Sequence, residues 1–295
     1  MLVAYLQLGL SMALVGANVA ISKLLTEALP IALILGLRCL LACAVLWPLA
    51  LRREGRLRLS GVSLANLAAQ AAVGTLLYNA ALLSGLRHTT ALEAGLVLAT
   101  LPAVIAIGSA LWLRERMAPR QWLAVALAGG GMAAITLARL AGGGGGGGSL
   151  WGNALVFVAV CGEAGYVLLA KRLAGRVPLV TASFWMQGFS TLMLLPFCLP
   201  VLGAAAALAD PGVSALLVFH SLTASVLCLL LWYAGLRRAP AGIAGIFSAL
   251  LPAAAAGMAV LVLGETFSTM HGIGFLLMLA SIGLATWPGR GKRVV

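Results

Sequence analysis

Acidic side chains are scarce in this chain: seven Asp and Glu in 295 residues, with all charged types together at 9%. A soluble domain carries about 25% charged residues, so a water-covered globular surface is excluded by supply. Neither HExxH nor GxSxG occurs, and no carboxylate cluster or close His/Asp grouping lies within an apolar run. Metalloprotease and esterase chemistry therefore lack their residues, and the chain is not expected to be an enzyme. The five cysteines (Cys39, Cys43, Cys161, Cys198, Cys228) lie inside apolar runs and form no CxxC pair, which argues against a disulfide framework or a zinc site. No metal and no cofactor is implied. Alternating ten-residue strands, the mark of a membrane barrel, are missing, as is a channel-type selectivity filter. Met1–Leu25 has no basic n-region and no clear cleavage site, so it is expected to stay as a first span rather than to be a signal peptide.

What the chain has is apolar length: 62% hydrophobic residues and a mean hydropathy of +1.09. About 20 apolar residues cross a hydrocarbon core of about 30 Å. Such runs fall at 3–23, 29–51, 62–85, 91–113, 119–139, 150–170, 178–201, 212–235, 240–263 and 269–288. In lipid each span must satisfy its own backbone, so they are read as helices. The fold class is an all-α integral membrane protein with ten transmembrane helices. The net charge of +12 sits in short clusters between runs, without interleaved aromatics, which argues against nucleic acid as a partner. One side of the alternation receives Arg52, Arg53, Arg56, Arg58, Arg114, Arg116, Arg120, Lys171, Arg172, Arg176, Arg237, Arg238, Arg290, Lys292 and Arg293. The other receives only Lys23, Arg87 and Arg139. Positive charge marks the cytoplasmic side, so a multi-pass protein of the inner (plasma) membrane with both termini cytoplasmic is expected.

The sequence also repeats itself. Ala91–Glu115 (ALEAGLVLATLPAVIAIGSALWLRE) returns as Ala241–Glu265 (AGIAGIFSALLPAAAAGMAVLVLGE), and the Pro102–Glu115 spacing of 13 equals that of Pro252–Glu265. Lys23, Pro30 and Pro48 answer to Lys171, Pro178 and Pro196 at an offset of 148. Seven consecutive glycines, 142–148, separate the halves as a flexible linker. Residues 1–140 and 150–295 are thus read as two five-helix repeats joined by 141–149. Because five is odd, the second repeat enters the membrane from the opposite face. The repeats are therefore inverted, the transporter plan that places a substrate site near the midplane.

Span three sets Asn66, Gln70, Gly74, Tyr78, Ala81 and Gly85 close to one helical face, and span eight repeats the geometry with His220, Ser225, Cys228 and Trp232. Either small-residue packing or a cavity wall explains the stripe; Tyr78 and Trp232 are the candidates for lining, flanked by Asn79 and Tyr233. His220 is either a neutral packing histidine or a pH-sensitive group. Span one offers Ser11, Asn18 and Ser22, with Tyr166 at the position equivalent to Asn18. Glu163, near the middle of span six, is costly by about 2.5–3.5 kcal/mol on insertion scales and must face the interior. It is read as a counter-charge for a substrate ammonium, a carrier of a coupling proton, or one half of a buried pair with Arg38. Arg38, about eight residues into span two, either grips a substrate carboxylate or bonds helix backbone. Trp185 and Gln187 can reach the cavity from span seven. Glu115, Glu265 and Lys23 are assigned to caps or gates, and Glu93 to a helix start. Pro102 and Pro252 should kink their helices and contribute to gating.

The double pattern, each repeat's fourth helix with its central proline and acidic end (Leu113-Arg114-Glu115; Leu263-Gly264-Glu265), and the early Gly16-Ala17-Asn18…Lys23, Pro30 and Leu37-Arg38-Cys39 resemble the EamA-type drug/metabolite transporter superfamily. The chain looks most like the YddG-type exporters of aromatic and other neutral amino acids. The resemblance implies a central cavity lined by helices 1, 3, 4, 6, 8 and 9, with helices 5 and 10 peripheral. Met186 stands where a second arginine equivalent to Arg38 would be. The expected function is export of small amphipathic metabolites by alternating access, most readily neutral or aromatic amino acids. A proton-coupled exporter of cationic drugs and a channel are the alternatives. The expected partners are a small-molecule substrate and the lipid bilayer, with a monomer sufficient for function.

Overall fold

The computed structural model describes residues 1–55, 57–89, 94, 97–140, 149–263 and 269–287. The glycine linker 142–148, Glu93 and Glu265 lie outside the described residues, as do the side chains of Lys23 and Pro252. Among the described residues every regular element is helical and none is a strand.

The elements are α1 (Leu2–Thr26), α2 (Ile31–Glu54), α3 (Gly61–Ala71 continuing through Tyr78–Leu86), α4 (Leu101–Trp112), α5 (Pro119–Leu140), α6 (Leu150–Leu173), α7 (Leu179–Cys198), α8 (Pro211–His220 continuing through Cys228–Leu236), α9 in two pieces (Ala241–Phe247 and Leu250–Leu263) and α10 (Thr269–Thr286). A 3₁₀ stretch, Leu199–Ala209, extends α7. Ile31–Glu54, Gly61–Gly85, Leu150–Leu173, Leu179–Ala209 and Pro211–Leu236 are long and apolar enough to cross a membrane, and Leu2–Asn18, Leu101–Trp112 and Gly272–Thr286 are shorter apolar helices. The helix starts follow local chemistry. Pro30 and Pro178 precede α2 and α7 in the same extended conformation, because proline has no N–H to waste at a helix entrance. Ser60, Ser149 and Asp210 each accept a backbone N–H of the helix they open.

Two departures from the continuous helices expected are matched between the halves. α3 carries a π-helical segment, Ala72–Leu77, and α8 carries one at Ser221–Leu227. The expected kinks at the prolines are breaks. A turn at 99–100 precedes α4, so Pro102 occupies the first turn of a new helix, where proline is tolerated. In α9 the chain turns at 248–249, and Pro252 follows within the first turn of Leu250–Leu263.

Packing sets the helix directions. Glu54, at the end of α2, accepts N–H bonds from Val180 (3.0 Å) and Thr181 (2.8 Å) at the start of α7. At the opposite ends Cys198 Sγ donates to the Ala32 carbonyl, so α2 and α7 run antiparallel. α5 and α10 are antiparallel too: Ser281 Oγ donates to the Ala124 carbonyl at 2.6 Å, and Gly131 lies against Gly274 and Met278. α3 meets α6 through glycines: Gly74 against Tyr166, Gly162 against the Val73 carbonyl, and Gly85 against Val156. α8 meets α1 likewise, with Gly235 on Leu8 and the Ala4 carbonyl. Small residues let membrane helices approach closely enough for dispersion to hold them where no hydrophobic drive exists. The ends that carry Arg52, Arg53, Arg114, Arg172 and Arg237 come together on one side, called here the basic end.

A Cβ on Gly85 would sit 2.8 Å from Val156 Cγ2 and 2.9 Å from the Gly152 carbonyl, whereas Gly130 has nothing within 4 Å. Gly85→Ala is therefore expected to destabilise by about 1–3 kcal/mol through overpacking, and Gly130→Ala to be neutral or stabilising. Thermal unfolding of the two variants in detergent checks this; equal midpoints would contradict the glycine-mediated contact.

Candidate functional site

Polar side chains meet at three depths. With 1.5 Å of rise per helical residue, Asn18 stands roughly 12 Å from the end of α1, and His220 roughly 14 Å from the start of α8. They meet in the half remote from the basic end. Asn18 Oδ1 accepts from His220 Nδ1 (2.9 Å) and Thr223 Oγ1 (3.0 Å), while Asn18 Nδ2 donates to the Leu14 carbonyl. Donation from Nδ1 makes Nε2 the acceptor of the neutral imidazole, and Nε2 faces Ser22 Oγ at 3.5 Å. Asn18 and His220 are almost wholly buried. This network is a satisfied joint between α1 and the π segment of α8.

Around mid-depth stands Glu163, roughly 20 Å from the start of α6 by the same rise. Its neighbours Gly162 and Ala164 are buried against other helices, while Glu163 itself is part-exposed. The carboxyl lies within electrostatic reach of the Tyr78 and Tyr166 phenols. It accepts no hydrogen bond from any described residue and forms no ion pair with Arg38. The Glu163–Arg38 pair that the sequence allowed is therefore not made. The other described acids all lie at helix ends. Glu54 caps α7, and Asp210 caps α8 through Gly212 N at 2.7 Å. Glu115 takes the N–H of Ala241 (2.8 Å) at the start of α9 together with the Ser109 hydroxyl. Glu27 stands exposed at the end of α1. Of these, Glu163 is the one placed away from a helix end, and no described residue hydrogen-bonds its carboxyl.

Toward the basic end Tyr233 Oη donates to Gln70 Oε1 at 2.6 Å, and Gln70 Nε2 donates to Asn66 Oδ1 at 2.7 Å. Tyr166 lies within electrostatic reach of both Tyr233 and Glu163, which joins this chain to the middle layer. Tyr233 also helps line a small, half-open recess bounded by Leu173, Gly175, Val177 and Arg237. Beside it, Lys171 Nζ donates to the Leu236 and Ala239 carbonyls. Lys171 and Glu115 thus grip opposite sides of the α8–α9 turn, satisfying a helix C-terminus and a helix N-terminus.

The remaining candidates are placed as follows. Trp232 is buried in the main core, and its Nε1 has no hydrogen-bond partner. Trp185 donates to the Leu57 carbonyl at 2.8 Å and packs with Phe184 and Phe189. Asn79 donates at 2.6 Å to the Thr75 carbonyl, inside its own helix. Pro102 is buried. Arg38 has a buried Nε without a partner. Sequence reasoning missed Thr223 as a partner of Asn18. It also missed the two bonds that reach into α8, Gln187 Nε2 to the Ser225 carbonyl (2.7 Å) and Ser11 Oγ to the Cys228 carbonyl (2.8 Å). A π segment frees carbonyls, and that need is the signal that explains them.

Comparison with known proteins places this arrangement. The model of a family described as EamA-like transporter family matches residues 2–137 and again 150–287. The chain is 34% identical over 285 residues to an uncharacterized transporter, YetK, of Bacillus subtilis (strain 168), covering 95% of this chain and 85% of that protein. It is 26% identical over 251 residues to an uncharacterized transporter of Archaeoglobus fulgidus (strain ATCC 49558 / DSM 4304 / JCM 9628 / NBRC 100126 / VC-16), covering 84% and 85%. A solved crystal structure superposes with a TM-score of 0.78 at 22% identity over 96% of each chain, a likeness of fold.

Asn18→Ala would strip the buried donor His220 Nδ1 of its acceptor, Thr223 Oγ1 keeping the Phe219 carbonyl, whereas Asn79→Ala removes only a bond within one helix. Asn18→Ala is expected to cost about 1–3 kcal/mol and Asn79→Ala clearly less. Thermal unfolding of both variants reads the difference, and an equal loss would contradict the joint.

Proposed function

The chain belongs to the EamA-like transporter family and is thus a multi-pass membrane transporter of small molecules; from that premise we propose that it exports small amphipathic metabolites by alternating access. The substrates in this reading are neutral or aromatic amino acids, and the membrane is the inner one with both termini cytoplasmic. The observation that carries it is Glu163, a carboxyl near mid-depth with two tyrosines in reach and no described hydrogen-bond partner. Leaving such a group without a partner inside a membrane is expensive, and function is the usual reason. Glu163 takes the substrate's ammonium or a coupling proton in turn, and Tyr78 and Tyr166 bound the apolar part of the solute.

Several features support the inverted repeat that alternating access requires. The family match falls twice along the chain. α2 and α7, equivalent in sequence, run antiparallel, as do α5 and α10. The π segments and the breaks before Pro102 and Pro252 recur at corresponding places. Paired interruptions of this kind point to a substrate path between the halves. Both repeats then rock about packed glycine contacts while the site opens to one side at a time. A cationic drug would serve the lone Glu163 carboxyl equally well, and that is the second reading.

Counterflow in reconstituted vesicles with a panel of neutral amino acids and lipophilic cations decides between them. Saturable counterflow of amino acids is expected; counterflow of cations alone would install the second reading, and linear conductance would indicate a channel. Glu163→Gln is expected to lower the rate by roughly tenfold or more, the scale of a lost buried charge contact, and to flatten its pH dependence. Unchanged rates at every pH would remove Glu163 from the mechanism.

A further inference from the structure

Arg38 and Arg120 each have a buried Nε without a hydrogen-bond partner, and Arg38 is the one that lies well inside its helix. It lies seven residues past Ile31, roughly 10 Å from the start of α2 by helical rise, at about the depth of Asn18 and His220. Its Nε is buried without a hydrogen-bond partner, while the side chain as a whole is part-exposed and stands within hydrogen-bonding reach of the Cys39 thiol. Within its electrostatic reach lie His220, Cys39 and Cys228. None of them is an anion. His220 presents its donor to Asn18 and cannot serve as an acceptor through that nitrogen. The described acids are committed to helix ends or, in the case of Glu163, stand in another layer.

A guanidinium in apolar surroundings is costly without an anion, and its planar fork fits a carboxylate with two parallel hydrogen bonds. We infer that Arg38 is an anion-binding station for the carboxylate of the transported solute, backed by the Asn18–His220 joint. The inference rests on the transport reading above and narrows its substrate class to solutes that carry a carboxylate. Counted in helical rise, Arg38 and Glu163 differ in depth by roughly 9 Å, much more than separates the ammonium and carboxylate of one amino acid. The two residues therefore act in succession. Glu163 holds the solute near the middle, and Arg38 receives its carboxylate in the half remote from the basic end.

The test compares acids with their amides. Phenylalanine, leucine and their carboxamides are titrated against the purified protein, and binding is read as thermal stabilisation. At least one acid is expected to bind roughly 30-fold or more tightly than its amide, the loss typical of an unpaired buried charge. Arg38→Gln should erase that preference, and Arg38→Lys should keep part of it. Equal affinity for acid and amide in the wild type, no binding of either acid, or a preference that survives in R38Q would overturn the inference. Should R38Q fail to fold, the wild-type preference and its partial loss in R38K decide. Absent counterflow alongside an intact acid preference would overturn the transport reading while leaving the anion station standing. Counterflow that treats acid and amide alike would do the reverse.

Discussion

Hydrocarbon offers no water to a polar group, so each N–H, carbonyl and charge inside the bilayer must find its partner within the protein. That constraint organises the molecule. With seven acids available, Glu54, Glu115 and Asp210 go to helix N-termini, where exposed N–H groups and the positive end of the dipole meet a carboxylate. Lys171 does the converse at the end of α8. The Glu54 and Glu115 contacts join helices far apart in sequence, α2 to α7 and α4 to α9, at the basic end. Set against these pairings, Glu163 has no described hydrogen-bond partner and Arg38 has a buried Nε without one.

The same constraint explains the irregular helices. A π segment in α3 and another in α8 loosen the backbone ladder, and side chains of neighbouring helices answer: Gln187 and Ser11 bond carbonyls of α8 at Ser225 and Cys228, and Thr75 meets Ser190. The break before Pro252 puts a buried turn, 248–249, inside the protein, and the break before Pro102 ends at the exposed Thr100. Discontinuous helices are tolerated at depth where they line a cavity or are buried in protein. Glycine contacts between α3 and α6 and between α8 and α1 let these helices approach closely.

Much of this was legible in the sequence because apolar length and charge alternation are strong signals in lipid. Helix ends came within a few residues: 29–51 became Ile31–Glu54 and 150–170 became Leu150–Leu173. Spans four and nine read as continuous, since an apolar run looks the same whether or not the chain turns at 99–100 or 248–249. The π segments left no trace at all, as they depend on partners such as Gln187 that lie on another helix. Glu163 was legible from its depth alone. The role of Glu115 was legible only as a helix end; that its carboxylate reaches Ala241, 126 residues away, is a fact of packing. Trp185 looked available to a cavity, and its bond to the Leu57 carbonyl ties it to the α2–α3 connection.

The account stands on Glu163 facing a solute path that opens in turn to either side. The most direct measurement places a cysteine there, Glu163→Cys with the five native cysteines replaced, and follows labelling by a membrane-impermeant thiol reagent applied from each side of oriented vesicles. The account predicts labelling from both sides, with added amino acid slowing it from each. A thiol that no reagent reaches from either side would contradict it.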